Sequence, residues 1–116
     1  MSKAEKIWSN DAGKMGAFLL RELKDTGAEW KKLLSDCLED YKRGTILDVG
    51  CGTGFISLLL AQIGCEVIAI DNNAAMLEEA KKISKELDTS NKITFILKDA
   101  ESTNFTDNTF DAVVSR

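Results

Sequence analysis

The stretch Asp48-Val-Gly50-Cys-Gly52-Thr-Gly54 concentrates the residues that could do chemistry. Three glycines at alternate positions permit positive φ and let backbone N–H groups approach a ligand with no Cβ in the way. The helical pattern that follows adds a partly positive end. A tight strand-to-helix turn needs one glycine; three, preceded by an acid, go beyond that. Two nucleotide-binding loops come close and fail. The dinucleotide pattern Gly-x-Gly-x-x-Gly would place its last glycine where this chain has Phe55. The Walker loop needs Gly-Lys-Ser/Thr, which does not follow. Two further carboxylates, Asp71 and Asp99, stand at or just beyond the ends of apolar runs. An acid ending a second strand can accept from both hydroxyls of a ribose, a placement dinucleotide enzymes share.

Other chemistries are excluded by composition. The chain of 116 residues has no histidine, so it can form neither a Ser-His-Asp triad nor a histidine-ligated metal site. Cys37, Cys51 and Cys65 form no Cys-x-x-Cys pair and are too few for a structural zinc. With an amino terminus that lacks the apolar core of a secretory signal, they read as free thiols in a reducing cytoplasm. Cys37 and Cys65 are expected as small core fillers. No apolar stretch approaches the roughly 18–20 residues that span a bilayer. Residues 1–44 carry nine basic and eight acidic side chains, and residues 45–116 six and eleven, for a net charge of −4. Neither part offers a basic face, so nucleic acid is not an expected partner.

The elements that position the loop follow from periodicity. Residues 14–24 place Met15, Phe18, Leu19 and Leu23 on one helical face. A second helix is expected from Gly27 to Tyr41, its stripe formed by Trp30, Leu33, Leu34, Cys37, Leu38 and Tyr41 and stopped by Gly44. Thr45 to Gly50 is a β-rich run, and Phe55 to Ile63 a buried helix closed by Gly64. Cys65 to Ile70 is a second apolar run ending at Asp71, and Asn73 can cap the helix that carries Met76, Leu77, Ala80, Ile83 and Leu87. Ile93 to Leu97 is a third strand, Asp107-Asn108 a turn, and Phe110 to Val114 a fourth strand. Apolar strands alternating with helices indicate an α/β fold with a parallel sheet.

The string DVGCGTG resembles the donor loop of class I S-adenosylmethionine-dependent methyltransferases. Three further segments are similar to that family: Asp71-Asn-Asn73-Ala-Ala-Met76-Leu77, Lys98-Asp99-Ala100-Glu101, and Asn104-Phe105 through Val114. The resemblance covers residues 45–116 and implies a Rossmann-like three-layer sandwich of strand order 3-2-1-4. It implies S-adenosyl-L-methionine as cofactor, held by Asp48, Gly50, Cys51, Gly52 and Gly54 of the loop, with Asp71 on the ribose. It places Asn72 and Met76 by the adenine, where Asn72 replaces the usual apolar residue. It gives Asp99 and Ala100 the reading of the adenine edge, and adds Ser115 at the close of strand four. Residues 1–44 match only in type, as a helical lid that Trp8, Asn10 and Met15 could line, or as helices packed on the sheet. Asp111 reads as structural, and Cys51 as a packing thiol.

The expected activity is methyl transfer to a small-molecule acceptor. The alternatives are a nucleoside-binding module without catalysis and an NAD-dependent oxidoreductase, against which Phe55 counts. Because strand four closes at the end of the chain, residues 1–116 are expected to be an amino-terminal, donor-binding part, inactive alone. An edge there would invite a homodimer.

Overall fold

In the computed structural model, which describes residues 12–41, 44–102 and 110–115, four apolar runs become strands. They are β1 (Thr45–Val49), β2 (Glu66–Asp71), β3 (Ile93–Leu97) and β4 (Ala112–Ser115). All pair in parallel, in the order β3-β2-β1-β4. Between them lie α2 (Phe55–Gln62) and α3 (Ala74–Glu86), preceded by α1 (Ala12–Cys37). Short 3-10 turns occupy Glu39–Tyr41 and Ala100–Ser102. The two crossovers β1-α2-β2 and β2-α3-β3 advance in one direction. Right-handedness therefore sets α2 and α3 on the same face of the sheet. The fold is the expected Rossmann-like α/β arrangement.

α2 is buried along seven consecutive residues, Phe55 to Ala61, because the sheet lies on one side and α1 on another. Ile46, Leu58, Leu59, Leu60 and Ala69 are fully buried. Each Leu or Ile side chain so removed from water stabilises the fold by about 1.5–3 kcal/mol. The Trp30 ring meets Phe55 edge-on, with centroids 5.9 Å apart at 88°, which locks α1 over the start of α2. α1 also crosses α3 closely: a Cβ at Gly16 would collide with the Glu79 carboxylate.

The amino-terminal part departs from expectation. The two helices expected at 14–24 and 27–41 are one helix of 26 residues. Gly27 sits buried inside it, with only Leu23 side-chain atoms within 4 Å of where its Cβ would be. An interior glycine costs only about 1 kcal/mol, less than the packed stripe Leu19, Leu23, Trp30 and Leu34 returns. The helix stops at Cys37 rather than running to Tyr41. Cys37 is exposed, not core filler, since Trp30, Leu34 and Leu38 take the inward face and turn Leu33 and Cys37 outward. Cys65 is buried as expected.

β4 begins two residues later than the expected Phe110. Asp111 explains this: its N–H donates to the Thr45 carbonyl at 2.8 Å, while its Oδ2 accepts the Thr45 N–H at 2.7 Å. A side-chain oxygen thus takes the bond a ladder carbonyl would make, and Asp111 is structural. Trp8, Asn10, the Asp107-Asn108 turn and the Asn104-Phe105 segment lie outside the described residues.

Candidate functional site

β1 and β2 are in register up to Val49 opposite Ile70, so the glycine loop and Asp71 leave the sheet side by side. The loop closes on this neighbour. Gly50 and Cys51 both donate their N–H to the Ile70 carbonyl, at 2.9 and 3.0 Å. The Gly52 N–H donates to Asp71 Oδ2 at 2.9 Å, and the Gly54 N–H to the Cys51 carbonyl at 2.9 Å. Four loop donors expected to meet a ligand are thus committed within the protein. What the glycines provide is conformation: Gly50, Gly52 and Gly54 have φ of 70°, 57° and 93°. At Gly50 and Gly52 an added Cβ would meet nothing within 4 Å, so both open onto empty space.

Asp71 holds two segments at once. Its Oδ2 takes Gly52, and its Oδ1 takes the Asn73 N–H at 2.9 Å. Asn73 then caps α3 as expected, its Oδ1 accepting from the Met76 N–H at 3.1 Å. The side chain of Asp71 is half-buried. Each carboxylate oxygen has taken one N–H and retains a lone pair for a further donor.

Asp48 lies beneath the loop, 2% exposed. Ser57, one turn into α2, donates its hydroxyl to Asp48 Oδ2 at 2.6 Å. Burial pushes the Asp48 carboxyl up to about 6; the Ser57 bond pulls the other way and the charge of Asp71 adds to the rise. The Cys51 thiol is pushed strongly upward by burial and by both aspartates. Its Sγ–H points to the Gly52 carbonyl at 3.7 Å. It is therefore a thiol rather than a nucleophilic thiolate.

These groups line a cleft of about 640 Å³. Of the expected donor residues it brings together Asp48, Gly50, Cys51, Gly52, Asp71, Asn72 and Met76. Asn72 is exposed and Met76 buried at its wall. Four expected residues stand outside this lining. Gly54 is the buried N-cap of α2. Asp99 and Ala100 are exposed beyond the end of β3, where Asp99 Oδ1 accepts the Glu101 N–H at 3.0 Å. Ser115 is exposed at the end of β4, opposite Val49.

The opposite wall is α1, through Met15, Phe18, Leu19 and Glu22. Glu22 was not singled out from sequence, although a carboxylate in the stripe that holds Phe18 and Leu19 was a readable signal. Ser57, a hydroxyl inside the apolar run FISLLLAQI, was a second one. Among the described residues no group of three or more acids and cysteines is arranged to hold a metal ion, and no helix is long and apolar enough to cross a membrane.

Known proteins resemble this chain in sequence and in fold. Residues 46–116 match the family model described as a methyltransferase domain. A demethylmenaquinone methyltransferase of Renibacterium salmoninarum is 36% identical over 84 residues, covering 72% of this chain and 33% of that protein. The chain thus spans about a third of that relative's length. A Methanococcus maripaludis protein of known structure superposes with a TM-score of 0.75 at 24% identity, over 93% of this chain and 49% of its own. An S-adenosyl-L-methionine-dependent methyltransferase of Geobacter sulfurreducens, solved with S-adenosyl-L-homocysteine, superposes with a TM-score of 0.63 at 24% identity, over 75% and 35% of the two chains. At that identity both likenesses speak for the fold.

Proposed function

The chain belongs to the methyltransferase-domain family, and from that membership we propose that it binds S-adenosyl-L-methionine in the cleft between the glycine loop and α1, for methyl transfer to a small-molecule acceptor. The observation that carries this reading is the joining of Gly52 to Asp71, which sets an open glycine surface beside a half-buried carboxylate. The residues fit the donor. A cleft of about 640 Å³ falls in the range of about 300–1,000 Å³ typical of small-molecule sites. Asp71 keeps lone pairs for ribose hydroxyls, and Met76 and Asn72 border the same space. Asp99, Ala100 and Ser115 stand at neighbouring strand ends, where they extend the site past the lined wall.

When bound, the sulfonium supplies an electrophilic methyl carbon and leaves as a neutral thioether, so the leaving group needs no acid. The chain's own task is to bind, orient and exclude water. The absence of histidine is no obstacle to that. Residues 1–44 serve in this reading as a lid domain over the donor-binding part at 45–116. The apolar wall of Met15, Phe18, Leu19 and Ile56 suits an acceptor with an apolar body, in keeping with the relative named for demethylmenaquinone. The three free thiols support a cytoplasmic setting.

The loop argues against a dinucleotide. A pyrophosphate needs donors, and the N–H groups of Gly50, Cys51, Gly52 and Gly54 are committed elsewhere. No lysine or arginine lines the cleft among the described residues. Calorimetric titration of the chain with S-adenosyl-L-methionine and with NADH tests the reading. Saturable binding of the first, with no competition by the second, is expected. Tight NADH binding with no response to the sulfonium donor would reject it.

A further inference from the structure

α2 carries seven consecutive buried residues, Phe55 to Ala61, and Ser57 is the one polar side chain in that run. It is 0% exposed. A hydroxyl placed there needs an acceptor. It meets Asp48 Oδ2 at 2.6 Å, the length of a bond to an ionised carboxylate. Ser57 does not line the cleft, whereas Asp48 does. Ser57 therefore reaches a ligand there through Asp48. The neighbouring strands set Ala69 and Val114 beside Asp48, and neither titrates. Among the described residues, the titratable groups that face the same space are Asp71 of β2, Cys51 of the loop and Glu22 of α1, while α3 brings Met76.

We propose that Ser57 is a positioning residue for the donor: its hydroxyl fixes the Asp48 carboxyl at the floor of the cleft and holds it in the ionised form that favours a cationic ligand. The proposal rests on the functional reading above. S-adenosyl-L-methionine carries an ammonium and a sulfonium, and an ionised carboxylate attracts it more than a neutral carboxyl does. Burial and the charge of Asp71 oppose ionisation of Asp48, and Ser57 works against both through its hydroxyl and its backbone. The balance leaves Asp48 at about 6. Loss of that support moves the transition into the neutral range. The comparison concerns one carboxyl with and without its proton, so the other charges around the cleft cancel. An alanine would complete the same apolar run, so packing of α2 on the sheet does not require the hydroxyl.

The test is Ser57→Ala, which removes one buried oxygen and supplies the best helix former. Affinity for S-adenosyl-L-methionine is measured by calorimetry from pH 5 to 7.5, with circular dichroism to verify folding. Both forms are titrated at each pH, so the ligand's own titration cancels in their ratio. In the unaltered chain affinity should rise through about 6. Loss of a hydrogen bond to a charged group should move that midpoint up by about one pH unit. Ser57→Ala should then bind about threefold more weakly at pH 6.5 and within about 1.5-fold at pH 7.5. Asp48→Asn keeps an acceptor for Ser57 and cannot ionise, so its affinity should show no such rise. A flat profile in the unaltered chain, a midpoint unmoved in Ser57→Ala, a loss of equal size at pH 6.5 and 7.5, or a rise that survives in Asp48→Asn would overturn the proposal. Failure of the unaltered chain to bind at any pH would instead overturn the functional reading on which it rests.

Discussion

Ser57 donates its hydroxyl to Asp48 across 2.6 Å, and both are buried: the first residue pair beneath the glycine loop is a neutral donor and a carboxyl, and among the described residues no cation stands beside it in the cleft. The consequence is a pH dependence opposite to that of a salt-bridged acid. The folded value of about 6 lies above the ordinary 3.8. Between these values the unfolded chain has released the proton while the folded chain retains it. Stability from this group is therefore full below about pH 4, falls as pH rises to about 6, and stays low above that. At one pKa unit per 1.36 kcal/mol, the loss is on the order of 2–3 kcal/mol.

Asp48→Asn keeps the acceptor for Ser57 and removes the titration. It should raise the melting temperature at pH 7.5 and lose that advantage near pH 4. Thermal melts of both forms across this range provide the check. An advantage that persisted undiminished at pH 4 would show that Asp48 is not the titrating group.

Asp71→Ala tests the joint between loop and helix. The substitution removes the acceptor for the N–H groups of Gly52 and Asn73 and whatever hydroxyls a ligand adds. Donor binding should weaken by about 1–3 kcal/mol, the scale of hydrogen bonds to a charged group. Because Asn73 also caps α3, some of the loss should appear as reduced stability without ligand. Calorimetry and melting on the same sample separate the two. Undiminished binding would place the donor elsewhere.

Gly52→Val and Cys51→Ser make a contrasting pair. Val at 52 must adopt a φ of 57°, a conformation that costs a β-branched residue about 1–3 kcal/mol. No protein atom obstructs its Cβ, so the side chain extends into the cleft and takes ligand space. Binding should be lost while the fold survives with a lowered melting temperature. Cys51→Ser should be mild in both respects, since that sulfur makes one weak bond to the Gly52 carbonyl. Abolished methyl transfer with donor still bound would make the thiol a participant in the chemistry.

How much of this was legible depends on the range of the interaction. β3 is Ile93–Leu97 in both readings because polar residues bound an apolar run on both sides. The Asn73 cap was legible because capping is a contact three residues long. The continuity of α1 through Gly27 was not, because local propensity opposes it and packing against α2 and α3 decides it. The exposure of Cys37 has the same origin: a stripe read at helical spacing does not say which of two adjacent faces the neighbours cover. The loop's glycines were legible, but the acceptors of its N–H groups were not, since Ile70 and Asp71 lie some 20 residues away in sequence and adjoin it only through the β1–β2 register. Glu22 belongs to the cleft only once α1 has docked.

Val113 carries the last prediction. β4 pairs with β1 on one side, and among the described residues nothing pairs with its other side. Ala112 and Val114 turn toward the core that Ile46 shares, while Val113, pointing the other way, is 62% exposed. An apolar edge without a charge at its centre is a template for another strand. Residues 1–116 by themselves are therefore expected to self-associate through β4, as a dimer or in larger species. Val113→Lys should leave monomer stability nearly unchanged, within about 0.5 kcal/mol, as for an exposed position, while a charge at the centre of the edge opposes pairing. Sedimentation of the two forms at matched concentration decides it. Mass that falls in Val113→Lys supports the edge as the contact. If residues 1–116 alone are monomeric and melt sharply without the substitution, this edge is adequately protected.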